Sequence, residues 1–373
     1  MFDLATLQLY WWFLVSLIGA FFVFMMFVQG GQTLLYTLTK SEEERDLIIN
    51  LLGRKWEIGF SSLVMFGGAL FAAFPLFYAV SFGGAYFVWM AILFCFIVQA
   101  VSYEYRKKPN NLFGTRFYEW LLFINGSLGI FLIGVALGTL YTGGNFEVNS
   151  MNLSHWTTST YGLEALLNPF NLLFGIVLVL LARIQALLYF YNALFHEAIH
   201  QRLLRQLKQH FILFLPLFLL FLGTLLLSVG FGVDPKDGIV YTQEAKMLHN
   251  LLSTPALLVT LLLGVGLFLS AIYLALFQHN DRAIWLSGIG TILIVTSILM
   301  LLGVNHTVFY PSLSHLQSSL TLANSSGSLY TLEVMSVVSL FVPFVLGYIV
   351  LVWRAMNRKP LTIEEVNADP HHY

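Results

Sequence analysis

The chain has 373 residues, 58% of them hydrophobic and only 10% charged, with a formal net charge of −1. A soluble domain carries roughly 25% charged residues, so this chain lacks the polar surface to live in water. Lipid must solvate much of it, and the near-neutral balance leaves no basic footprint for nucleic acid.

A helix that crosses a bilayer needs roughly 20 mostly apolar residues. That ruler predicts an all-α integral membrane protein of about nine transmembrane helices. They lie near 9–36, 59–80, 83–103, 117–141, 166–194, 209–230, 250–277, 284–304 and 333–356. No cleavable signal is expected at the start, because a basic n-region is lacking and the first apolar stretch is too long for an h-region. Pro75 is expected to kink the second helix, and the division at Ser81-Phe82-Gly83-Gly84 is the weakest. The expected organisation is a first four-helix bundle over 1–141, a loop over 142–165 and a second four-helix bundle over 166–304. A loop over 305–332 then leads to a peripheral ninth helix and tail over 333–373. No repeat of fixed period is present.

Lys and Arg placement sets the orientation. Of the 18 basic residues, 15 fall on one set of loops, from Lys40 and Arg45 through Arg106, Arg202 and Arg282 to Arg358 and Lys359. The opposite set holds Lys236 and Lys246. Arg183 lies within the fifth helix near its basic end, where it can snorkel toward that interface. The expectation is a multi-pass membrane protein with its N-terminus outside and its C-terminus in the cytoplasm.

Several residues invite chemistry. Glu57, Glu104 and Glu119 all lie at the basic boundary, where a carboxylate is costly unless paired or wetted. The plain alternative pairs each with a neighbour: Glu57 with Arg54 or Lys55, Glu104 with Arg106, and Glu119 with Arg116. Three acids on one side make a cytoplasmic proton intake more credible than any single one of them does. Gln29-Gly30-Gly31-Gln32 and Gly67-Gly68-Ala69 read as close-packing segments. His196-Glu197-Ala198-Ile199-His200 is an H-E-x-x-H pattern, which on a helix places two imidazoles for zinc and a Glu for general base. The adjacent Arg202, Arg205 and Lys208 oppose a cation, and no third ligand stands out. The other histidines, at 155, 210, 249, 279, 306, 315, 371 and 372, fall mostly in loops or at helix ends. No axial pair for a haem stands at mid-membrane. The single cysteine, Cys95, reads as packing.

An ordered set of segments resembles subunit II of the cytochrome bd-type quinol oxidases, end to end. It comprises Leu9-Tyr10-Trp11-Trp12-Phe13, Trp56, Gly67-Gly68-Ala69-Leu70-Phe71-Ala72-Ala73-Phe74-Pro75, Tyr103-Glu104-Tyr105-Arg106, Asn168-Pro169-Phe170, Phe309-Tyr310-Pro311-Ser312 and Thr331-Leu332-Glu333-Val334-Met335. The resemblance implies a quinol:oxygen oxidoreductase that reduces dioxygen to water. Haems b and d, or b only, would then be ligated in a partner subunit I, with no catalytic or metal-binding residue in this chain. It further implies a scaffold role, a proton pathway from the cytoplasm, a bound structural quinone and lipids, exchange with the quinone pool, and small single-helix subunits. Glu57 and Glu104 match acids that other members carry as Asp. Gln29 stands where many have an acid and Gln99 where many have a base, so hydrogen bonds and water are expected to replace a charged pair there. Trp56, Gln29 and Gln99 are expected to pack near the pathway. The competing readings are a membrane metalloprotease built on His196, Glu197 and His200, and a secondary transporter.

Overall fold

The computed structural model describes residues 3–194 and 196–356. The expectations for Arg358, Lys359, His371 and His372 lie outside those residues. Among them, nine helices are long and apolar enough to cross a membrane. These spans are Leu4–Gln32, Glu42–Ala73, Tyr86–Tyr105, Thr115–Thr142, Pro169–Ala193, Glu197–Leu227, Pro255–Phe277, Ala283–Met300 and Leu329–Ala355.

Local chemistry sets many of their ends. Asp3 starts the first span by accepting the Thr6 N–H at 3.2 Å. Asn168 caps the fifth by accepting the Phe170 N–H at 2.9 Å, with Pro169 at the first helical position, where its missing N–H costs nothing. Two boundaries depart from expectation. The helix Glu42–Gly53 precedes the membrane part of the second span, and the sixth span starts at Glu197 rather than near 209. Both segments carry several charged residues, which a hydropathy ruler does not register. Pro75 does more than kink. The helix ends at Ala73, Phe74 takes φ −130° and ψ 64°, and Pro75 begins a new turn.

The first span is the most enclosed, with 72% of its apolar stretch buried, and the ninth the least, with 6%. A polypeptide in lipid must bond its own backbone groups, so the enclosure of the first span reflects packing and not hydrogen-bond need. The first span sits against the fifth through Gly30, where an added Cβ would lie 2.2 Å from the Ala182 carbonyl oxygen. It sits against the fourth through Gly126, where one would lie 2.2 Å from the Gln29 carbonyl oxygen. Gly68, by contrast, has nothing within 4 Å. The ninth span docks at two places: its first half meets the first span, where Trp11 Nε1 donates to the Leu332 carbonyl at 3.3 Å and Tyr10 and Ser339 share a hydrogen bond at 2.7 Å, and its last turn meets an aromatic cluster. Trp353 meets Phe27 at 5.7 Å, Trp285 at 5.7 Å and Tyr189 at 6.0 Å.

The end opposite the basic loops is closed by three antiparallel two-stranded sheets. Phe146–Val148 pairs with Ser154–Trp156, Gly230–Val233 with Val240–Gln243, and Val308–Tyr310 with Leu320–Thr321. Beneath them lies a cavity of about 160 Å³ edged by Ser81, Thr139, Asn145, Glu164, Asn171 and Tyr310. Glu164 ties this cap together. It accepts hydrogen bonds from Asn145, Thr158 and Thr160 at 3.1, 2.6 and 2.5 Å and from the Gly162 N–H at 3.0 Å. Burial pushes its pKa up, but these donors outweigh burial and hold the carboxyl below its ordinary value of 4.5. A depressed folded-state pKa gives stability that is present above the unfolded value and lost as pH falls through the folded one. Wild-type protein is therefore expected to lose its thermal advantage over Glu164→Gln as pH drops below about 4.5. A constant gap between the two melting curves across that window would refute this.

Candidate functional site

Three helices bring polar residues at helical spacing into one patch at the basic end. Gln29, Gln32 and the following Tyr36 share a face, as do Gln99, Tyr103 and Arg106 of the third span. Seven residues of helix give this stripe a length of about 10 Å. The fourth span adds Glu119 and Asn125. A π-turn over Asn125–Gly129 widens the helix there, and Asn125 is fully buried. Such turns recur at functional sites.

The stripe has a charged mouth and an uncharged interior. Glu119 and Arg106 are both 0% exposed. Arg106 Nη2 reaches Glu119 Oε1 at 2.7 Å and Asp46 Oδ1 at 2.5 Å. Arg45 Nε stands 3.4 Å from Glu119 Oε2, and the Tyr36 hydroxyl donates to that oxygen at 3.0 Å. Burial, reinforced by the Glu119 carboxylate, pushes Tyr36 up to about 12, so it remains a donor at neutral pH. Asp46 also meets Lys107 at 2.7 Å, with its side chain 15% exposed.

Inside, amides replace charges. Gln29 and Gln32 donate to the Gln99 carbonyl at 3.0 and 2.7 Å, and Gln32 also donates to the Tyr103 hydroxyl at 3.1 Å. Trp56 stacks on Tyr103 with centroids 5.9 Å apart. Gln29 Oε1, Gln32 Oε1, Gln99 Nε2, Trp56 Nε1 and both side-chain polar atoms of Asn125 are buried without a hydrogen-bond partner. Buried polar atoms are costly when bare, and a cluster of them fits ordered water.

The expected acids divide. Glu119 lies at the mouth of the stripe, while Glu57 and Glu104 are exposed on the second and third spans. Glu104 pairs with Lys108 at 2.8 Å rather than with Arg106, and Glu119 pairs with Arg106 rather than with Arg116. Asp46 and Tyr36 escaped the reading of the sequence, which took Gln32 as part of a close-packing segment and Arg45 as one of the basic-loop charges. Ser41 three residues before Glu44, a helix-start signal, does mark the helix that carries Asp46. The Ser41 side chain accepts the Glu44 N–H at 3.2 Å. Glu44 in turn pins the sixth span through Arg202 Nη2 at 2.5 Å.

The H-E-x-x-H segment is used for capping. His196 Nδ1 accepts the Ile199 N–H at 3.4 Å, and His200 Nε2 lies 2.9 Å from the Leu194 carbonyl. That carbonyl requires a proton on Nε2, so this nitrogen is not a metal ligand. Among the described residues no group of three or more His, Cys, Asp or Glu side chains is placed to hold a metal ion.

The chain matches the family model for cytochrome bd terminal oxidase subunit II over residues 7–356. The chain belongs to that family. It is 29% identical over 390 residues to cytochrome bd-I ubiquinol oxidase subunit 2 of Escherichia coli K12, covering 100% of this chain and 99% of the relative. It is 26% identical over 367 residues to cytochrome bd ubiquinol oxidase subunit 2 of Bacillus subtilis, covering 96% and 100%. Its fold is similar to a chain of the bd oxidase from Geobacillus thermodenitrificans, with a TM-score of 0.63 at 15% identity, over 94% of this chain and 98% of that one. The metalloprotease and transporter readings give way to this membership in an oxidoreductase complex.

Membership in a cytochrome family makes haem the group to weigh against the donors of this chain. The buried methionines Met25 and Met26 pack in the apolar core beside Phe22 and Phe27. The described histidines sit at helix ends or between spans, except His210, which lies within Glu197–Leu227 next to the basic run Arg202, Arg205 and Lys208. This donor set does not fit a haem with axial ligands deep within the spans, and no redox step is assigned to the residues of this chain.

Proposed function

We propose that this chain is the haem-free half of a quinol:oxygen oxidoreductase and that it delivers protons from the cytoplasm to its partner. The observation that carries the proton role is the stripe from Asp46 and Glu119 to Gln29, Gln32, Gln99 and Asn125, with its run of unpartnered buried atoms. Amides do not titrate, so they cannot relay protons themselves. They can hold a file of waters that does. In this reading the carboxylates at the mouth gather protons, and the Gln99 carbonyl fixes the geometry of the water file.

Subunit I is proposed to carry haems b and d, or b only, together with quinol oxidation and oxygen reduction. Its docking face is proposed to be the second and third spans. They present Val64, Phe71, Met90, Leu93, Phe94 and Ile97 exposed, with Glu57 and Glu104 at their basic ends. Those two acids would then lie at the seam between subunits. The basic loops face the cytoplasm and the sheet-capped end faces outward, in keeping with the charge asymmetry. The two proposed four-helix bundles, with a ninth helix outside them, give the scaffold.

Gln99→Leu removes the acceptor shared by Gln29 and Gln32 and dries the patch. Quinol-driven oxygen consumption by the intact complex is expected to fall by about tenfold or more, with Gln99→Glu retaining most of it. Full activity of Gln99→Leu at every pH, with subunit I and its visible spectrum intact, would place the route elsewhere. Glu57→Gln and Glu104→Leu test the seam by the same readout.

A further inference from the structure

The fifth span carries a charge that no described carboxylate answers. Arg183 lies inside the apolar stretch of Pro169–Ala193 and is half-buried. Its Nε is buried without a hydrogen-bond partner, and no described carboxylate pairs with it. A guanidinium within a membrane span is costly and is almost always paired. Its charge acts on the His210 imidazole of the sixth span, itself a base.

One turn before Arg183 on the same span, Val179 and Leu180 line an open, largely apolar groove of about 430 Å³. Its walls are Leu128 and Phe131 of the fourth span, Ile176, Val179 and Leu180 of the fifth, and Leu213 of the sixth. Arg183 follows Val179 and Leu180 by four and three residues, so it shares their face of the helix. His210 precedes Leu213 by three and occupies the same relation on the sixth span. Both groups therefore stand at the basic end of the groove. Trp120 and Tyr36, with rings 5.8 Å apart, and the Thr37–Gln206 hydrogen bonds mark the polar boundary nearby.

We infer that this groove binds one anionic phospholipid, with its phosphate on Arg183 and an acyl chain along the apolar walls. A phosphate diester supplies the acceptor oxygens and the negative charge that the protein withholds. A net-anionic headgroup is favoured over a zwitterionic one, because an added ammonium would sit beside two bases. The groove lies on the fourth, fifth and sixth spans, away from the second and third spans proposed above for subunit I, so lipid is its natural occupant.

The test uses the intact oxidase complex, delipidated in detergent and titrated with phosphatidylglycerol, with bound lipid read by native mass spectrometry and by thermal shift. Wild-type protein should retain one tightly held phosphatidylglycerol. Arg183→Gln should weaken it about fivefold or more, and Leu180→Trp, which fills the groove and leaves the charge, should weaken it too. In lipid-free detergent Arg183→Gln should melt no lower than wild type, since it removes an unpaired charge, which shows that the variant folds. Phosphatidylethanolamine and inorganic phosphate should each stabilise wild type less. Equal phosphatidylglycerol binding by wild type and Arg183→Gln overturns the site. So does stabilisation by inorganic phosphate equal to that by the lipid. Loss of subunit I from Arg183→Gln at unchanged lipid content would show instead that the charge pairs with a protein partner.

Discussion

Arg106→Met is expected to lower the stability of the assembled protein by about 3–5 kcal/mol, the range for removing one partner of a buried ion pair. Arg106 is fully buried between Glu119 and Asp46. Its loss leaves the Glu119 carboxylate with one hydrogen bond from Tyr36 and the more distant Arg45. Asp46 suffers less, because Lys107 remains 2.7 Å away and its side chain touches solvent. Most of the cost thus comes from a bare buried carboxylate, and Glu119→Gln in the same chain should recover a large part of it. Graded detergent or thermal unfolding of wild type, both single variants and the double variant gives that coupling directly. Additive effects of the two substitutions would mean that Arg106 stabilises the fold by packing alone.

Gly30→Ala is expected to cost at least as much as the roughly 1–3 kcal/mol typical of overpacked cores, and to lower activity as well. The added methyl would lie 2.2 Å from the Ala182 carbonyl oxygen, 2.3 Å from its carbon and 2.7 Å from the Arg183 nitrogen. All three are backbone atoms, which cannot swing aside as a side chain can. The first and fifth spans must separate, and Gln29 and Gln32 on either side of Gly30 move with them. Gly68→Ala is the matched control, with open space at its Cβ and an expected change within about 0.5 kcal/mol. Yield of assembled complex and its melting temperature serve as the measures. A Gly30→Ala protein that assembles and melts like Gly68→Ala would show that the two spans are not in backbone contact.

The spans were legible because the bilayer restricts the options. Roughly 20 apolar residues in hydrocarbon must satisfy their own backbone groups, and only a helix does that along one segment. The same ruler failed at Glu42–Gly53 and at the first turns of Glu197–Leu227, where the helices are polar and bilayer length no longer applies. The small sheets were also missed. Phe146–Val148 and Val308–Tyr310 are three residues each, too short to show alternation.

The site was legible in parts. Gln29 and Gln99 were singled out as uncharged replacements at two separate points of the chain, and their side chains meet at 3.0 Å. Glu57, Glu104 and Glu119 were grouped because all three lie at one boundary. Depth in the membrane is readable from sequence, but direction around a helix is not when most faces are apolar. Glu119 therefore turns inward and the other two outward without a local signal to say so.

The sequence by itself determined the solvent, the number of spans, the placement of nearly all basic charge at one end and the family, since each follows from composition, run length or ordered segments. Only the tertiary structure decided which polar residues form a site. Asp46, Arg106 and Glu119 come from three helices, and long-range packing of those helices sets their distances. It also decided that no described carboxylate pairs with Arg183, because a partner is a property of the surroundings and not of the residue.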